Sequence, residues 1–127
     1  GGVSCWGGNT SGQSPNLSNV EGYQLVSSGA ETTCFITSND IVDCFGSGAE
    51  DRYGGRYTKV AVTTDHTCAL DDDGYLDCWG DNTDGQISLP DNVFLDVSVG
   101  ANFSCGINDV RSIQCWGDDS NGQSTPP

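Results

Sequence analysis

A chain of 127 residues with 35% hydrophobic content, Gly 18 and Cys 7 is short of the apolar side chains that folding by burial alone requires, so cross-links must supply part of its stability. Asp+Glu 18 against Lys+Arg 4 gives a formal net charge of -14, a surface that repels phosphate backbones and argues against nucleic-acid binding. Its apolar runs fall far short of the roughly 20 residues of a spanning helix, and without an amphipathic basic stretch no membrane insertion is expected.

The first element in chain order is Cys5-Trp6-Gly7, running on to Gln13-Ser14. The same spacing returns at Cys115-Trp116-Gly117 to Gln123-Ser124. Residues 1–22 therefore read as an orphan strand with its exit turn, whose hairpin partner would lie upstream of Gly1. The absence of Met and the start at Gly1-Gly2-Val3 predict a processed mature chain or a piece of something longer.

Three segments then fall on one ruler: Tyr23, Val26, Cys34, Cys44; Tyr57, Val60, Cys68, Cys78; Phe94, Val97, Cys105, Cys115. The array divides into 23–56, 57–93 and 94–127, the last carrying its own exit turn. A repeat of this kind cannot bury its apolar face alone, so neighbouring units must stack. Each opens on a short strand, from Tyr23 to Ser27, Tyr57 to Val62 and Phe94 to Val99. Val60 with Val62, and Val97 with Val99, alternate onto one face.

A hairpin follows in each repeat. In Thr67 to Cys78, Leu70 faces Leu76 and Asp71 faces Tyr75, leaving a three-residue loop ending in Gly74. That register sets Cys68 opposite Cys78, Cys34 opposite Cys44 and Cys105 opposite Cys115, within reach of a bridge across adjacent strands. A shifted scheme, with Cys5 to Cys34, Cys44 to Cys68 and Cys78 to Cys105, also satisfies the count. The constant spacing favours the hairpin pairing. Cys5 is then free, bonded to another chain or parted from its original partner. Paired cysteines place the protein in an oxidising, extracellular compartment.

The chain leaves each hairpin through Phe45-Gly46, Trp79-Gly80 or Trp116-Gly117. Polar turns come next, and no helical periodicity exceeds a turn. The class is all-β. Trp6, Trp79 and Trp116 hold one repeat position, which suggests packing between units over ligand binding.

The strings HTCALDDDGYLDCWGDNTDGQ from His66 and SCWGGNTSGQSP from Ser4 resemble repeats of the regulator of chromosome condensation family, closest to its secreted, disulfide-bearing branch. Two departures stand out. Phe45 replaces Trp and 47–55 lacks the Asn-x-x-Gly-Gln turn, and the turn Asn108 to Ser112 lacks glycine. The resemblance implies a β-propeller of about three four-stranded blades, incomplete as a ring within one chain. It implies no single activity. Members include a nucleotide-exchange factor, a photoreceptor, receptor ectodomains and a secreted enzyme inhibitor, which share a propeller surface that grips proteins.

Other candidate sites read as structural. His66 has no nucleophile and orienting acid at a set spacing, and the resemblance places histidine there without catalysis. A cysteine spacing of ten does not match zinc sites, and Asp71 to Gly74 and Asp118 to Gly122 lack the ligand series of a calcium loop. No cofactor, metal or enzymatic activity is expected. Asn9, Asn16 and Asn102 each begin a glycosylation triplet. Arg52, Arg56 and Lys59 form a basic cluster that could dock on the acidic surface of a second copy, with Asp118 and Asp119 as its target.

The function expected is an extracellular structural and interaction module that completes its propeller by self-assembly with copies of itself, as a ring or filament. The alternative is part of a secreted propeller that binds a protein or glycan, of receptor-ectodomain or inhibitor type.

Overall fold

A computed structural model describes residues 2–17 and 21–126. Among these residues, nine strands form three antiparallel sheets. Sheet A holds β1 (Tyr23–Ser28), β2 (Thr32–Thr37) and β3 (Val42–Gly46). Sheet B holds β4 (Tyr57–Val62), β5 (His66–Asp71) and β6 (Leu76–Gly80). Sheet C holds β7 (Phe94–Val99), β8 (Phe103–Asn108) and β9 (Ile113–Gly117). In each the central strand is the second, so every sheet is a simple meander. Among the described residues no helix is long and apolar enough to cross a membrane.

The register agrees with the hairpin reading. Leu70 pairs with Leu76, and Cys34, Cys68 and Cys105 stand directly opposite Cys44, Cys78 and Cys115. All three pairs are disulfide-bonded, which removes the shifted scheme. Cys5 is free and half-buried.

The turns explain how the third repeat manages without glycine. Side chains at the strand ends accept from the turn backbone: Thr37 Oγ1 from Ile41 N, Asp71 Oδ1 from Tyr75 N, Asn108 Oδ1 from Ser112 N. That shared bond holds the loop while a left-handed residue closes it. The residue is Gly74 at φ 88°, but Asp40 at φ 59° and Arg111 at φ 64° in the other two sheets.

One irregularity recurs. The register slips between Tyr23 and Leu25, between Tyr57 and Lys59, and between Phe94 and Asp96. Residues three apart in a regular strand lie on opposite faces, so Tyr57 and Val60 would be separated. The bulge adds one residue and returns both to one face. This accounts for the aromatic-x-x-Val spacing.

The apolar cores lie between the sheets. One joins Cys34, Ile36, Val42 and Cys44 of sheet A to Tyr57, Val62, Ala69 and Trp79 of sheet B. The second joins Cys68 and Leu70 of sheet B to Phe94, Val97 and Trp116 of sheet C. Each sheet thus has a back carrying its disulfide and a front carrying its leading aromatic with Trp79 or Trp116, or Phe45 in sheet A.

Two details differ from the sequence reading. Each sheet shows three assigned strands where four-stranded blades were expected. After sheet B the backbone turns instead, with Gly85 N bonded to Asn82 O and Ser88 N to Gly85 O. Residues 2–17, where an orphan strand was expected, carry no assigned strand and turn at Asn9 to Gly12.

Candidate functional site

The back of sheet C repeats the chemistry that the other two backs bury. Ile107 sits where Ile36 and Leu70 sit, and Ile113 where Val42 and Leu76 sit, by their places opposite one another in the hairpins. Ile36, Val42 and Leu70 are 1%, 0% and 3% exposed, whereas Ile107 and Ile113 are 40% and 60% exposed. Beside them lies a shallow cavity of about 210 Å³ lined by Val97, Cys105, Gly106, Ile107 and Ile113 together with the polar Asp96 and Ser98.

The opposite end has its own exposed group. Trp6 is 86% exposed, while its repeat counterparts Trp79 and Trp116 are 5% and 8% exposed. Gly7 keeps the exit conformation at φ 108°, matching Gly80 at 109° and Gly117 at 105°. A Cβ on Gly80 or Gly117 would strike backbone of the adjoining strand, whereas Gly7 has nothing within 4 Å.

A buried polar chain joins sheets B and C. The Ser104 hydroxyl donates to the Gln86 carbonyl at 2.9 Å, and the same carbonyl accepts from Trp116 Nε1 at 2.9 Å. Because Ser104 has spent its proton, its oxygen accepts from His66 Nε2 at 2.9 Å. His66 is therefore the Nε2-protonated tautomer, with Nδ1 facing Thr63 Oγ1 at 3.2 Å. Burial pulls its pKa below the usual histidine range, against the smaller opposing effect of Asp65 and Asp81. This geometry suits a structural joint. Gln86 and Ser104 escaped notice in the sequence, although Gln86 belongs to the quoted Asn-x-x-Gly-Gln turn.

The three residues of the basic cluster each have carboxylate partners within the chain. Arg52 lies over the Trp79 ring at 4.3 Å and pairs with Asp77 at 3.1 Å and Glu50 at 2.8 Å. It fills the place of the missing Gln turn between sheets A and B. Lys59 pairs with Asp96 at 2.8 Å, joining sheets B and C, and Arg56 pairs with Asp72 at 3.0 Å. Asp118 accepts from Gln123 Nε2 and Asp119 from Thr125 Oγ1.

Leading tyrosines brace their own sheets. Tyr23 donates to Asp43 at 2.8 Å and Tyr57 to Asp77 at 2.9 Å. Burial and these carboxylates push both phenols up to about 12. In sheet C, Phe94 has no hydroxyl, and Gln114 at the carboxylate position accepts from Asn92 instead.

Of the glycosylation triplets, Asn9 and Asn16 are exposed and Asn102 is half-buried. Asn9 Oδ1 accepts from Ser14 N at 2.8 Å. Ser104, which completes the third triplet, is wholly buried in the folded chain. The residue completing the second, Ser18, lies outside the described residues.

Residues 57–86 and 94–123 match the family model described as Regulator of chromosome condensation (RCC1) repeat. No curated protein matches in sequence. Among solved structures, the CRINKLY WD40 ectodomain of the Arabidopsis thaliana receptor kinase ACR4 superposes with TM-score 0.73 at 25% identity, over 91% of this chain and 45% of that one. The ectodomain of the Physcomitrella patens receptor kinase CR4 gives 0.74 at 24% identity, over 90% and 35%. Prp20p from Saccharomyces cerevisiae gives 0.73 at 14% identity, over 88% and 40%. The chain thus spans less than half the length of these structures, and the shared fold is that of propeller blades.

Proposed function

We propose, for a chain that carries regulator of chromosome condensation repeats, that it is a non-catalytic, extracellular propeller module working by protein contact through its blade faces. The observation that carries this reading is the uncovered back of sheet C. Its Ile107 and Ile113 are exposed, whereas their counterparts Ile36, Val42 and Leu70 in the other sheets are buried and Leu76 is half-buried. A face of that kind is completed by another blade. The first reading is completion by copies of the same chain, in a ring or filament, because a head-to-tail contact closes or runs on according to its rotation alone.

The three disulfides support an oxidising compartment, and the likeness to two receptor-kinase ectodomains agrees with an extracellular place. The length of those ectodomains, more than twice this chain, favours a second reading in which the face meets a further blade of a larger binding propeller. Electron microscopy and light scattering on native material separate the two. Symmetric particles or fibres support self-completion; a discrete 13.3 kDa species at all concentrations refutes it and leaves the second.

A further inference from the structure

We propose that Trp6 of one chain seats on the Ile107 and Ile113 face of a second copy, with its indole N–H on that copy's Gln123 carbonyl. The proposal rests on the reading of this chain as a module completed by its own copies, and names the joint.

The joint is already built once, in nearly every part, inside the chain. At the sheet B to sheet C junction, Trp116 packs against the back of sheet B in a cluster with Leu70, and its Nε1 donates to the carbonyl of Gln86 in the exit turn of sheet B. At the sheet A to sheet B junction Trp79 packs against Ile36 and Val42, and Arg52 replaces the Gln turn. Each junction therefore pairs the back and exit turn of one sheet with the Trp of the next.

Sheet C has a back and an exit turn and no Trp to receive. Ile107 and Ile113 are exposed. Gln123 repeats the internal bonds of Gln86, with its Oε1 accepting from Asn121 N and its Nε2 donating to Asp118, as Gln86 does with Asp84 and Asp81. The Gln86 carbonyl has two donors, while the Gln123 carbonyl has none among the described residues. At the other end Trp6 stands at the Trp79 and Trp116 position, 86% exposed, with no seat of its own. The unfilled acceptor, the uncovered isoleucines and the unseated indole are the separated parts of one repeated contact.

The three sheets put these parts at opposite ends of the described array, and a second copy would bring them together. The contact is head-to-tail. Two copies would offer six sheets, within the roughly 4–8 blades of closed propellers.

Light scattering in roughly 0.5 M salt, where the Debye length is about 4 Å and the repulsion between acidic chains is screened, tests this directly. Wild type should gain mass with concentration above 13.3 kDa. Trp6→Ala and Ile113→Asp should each weaken association at least about tenfold, as truncating a buried anchor does. Both positions are exposed in the single chain, and intact disulfides with an unchanged β circular dichroism spectrum confirm that each variant folds. An equimolar mixture of the two variants retains one good half from each, so it should form heterodimers and stop there. Wild type that stays monomeric overturns the joint and the self-completion reading together. Wild type that assembles while Trp6→Ala assembles equally well, or a mixture that fails to associate, overturns the joint and leaves self-completion standing.

Discussion

His66 Nε2 lies 2.9 Å from Ser104 Oγ, a hydrogen bond that ties the first residue of β5 to the central strand of the next sheet. Both side chains are buried. Removing the hydroxyl in Ser104→Ala leaves a buried imidazole N–H without its acceptor, and such orphaned groups cost about 1–3 kcal/mol. Urea denaturation should show a loss of that size with the slope unchanged. A loss below about 0.5 kcal/mol would mean that water replaces the serine.

The same histidine makes stability depend on pH. Its unfolded pKa is about 6.5, and burial lowers the folded value. As pH falls below about 6.5 the unfolded chain takes up a proton before the folded chain does, so stability declines until the folded pKa is passed. His66→Gln should flatten that part of the curve measured by denaturant midpoints. An identical slope in the variant would assign the effect to other groups.

Arg52 and Arg56 should differ sharply despite their closeness in sequence. Arg52 stacks on Trp79 and bonds two carboxylates across a sheet junction, so Arg52→Ala should cost about 1–2 kcal/mol. Arg56 makes an exposed pair with Asp72, its side chain 68% accessible, and Arg56→Ala should stay within about 0.5 kcal/mol. Thermal melts of both variants at two salt concentrations would compare them.

The two left-handed turn positions give opposite signs. Arg111 at φ 64° pays the strain of a side chain in that region, so Arg111→Gly should stabilise by about 0.5–1 kcal/mol. Gly74→Ala should destabilise by more than about 1 kcal/mol, because a Cβ there would stand 2.5 Å from Val93 and 2.9 Å from the Phe94 carbonyl. Calorimetry on the pair would check both signs.

Much of the fold was legible because a repeat averages over its own noise. The spacing of ten between cysteines, the Leu70 to Leu76 register and the leading strands are local features, set by turn length and pleat, and each appears three times. The Tyr57 to Val60 spacing was visible without being understood. Three residues in a strand change face, and only the bulge seen in the sheet explains why both point into one core.

The intrachain partners of the basic cluster were not legible in that way. Arg52, Arg56 and Lys59 are neighbours in sequence, and from sequence a cluster of charge looks like a surface for a partner. Their carboxylate partners lie 16 to 37 residues away or just beside them, at Asp72, Asp77, Asp96 and Glu50, on elements that only the stacking of sheets brings near.

The amino-acid order alone determined the all-β class, the three units and the cysteine spacing. Those properties follow from backbone geometry within some twenty residues. Tertiary structure decided which of the equivalent positions are buried: it covers Ile36, Val42 and Leu70 and leaves Ile107, Ile113 and Trp6 open. Burial depends on what the next sheet presents, and no repeat unit carries that information about itself.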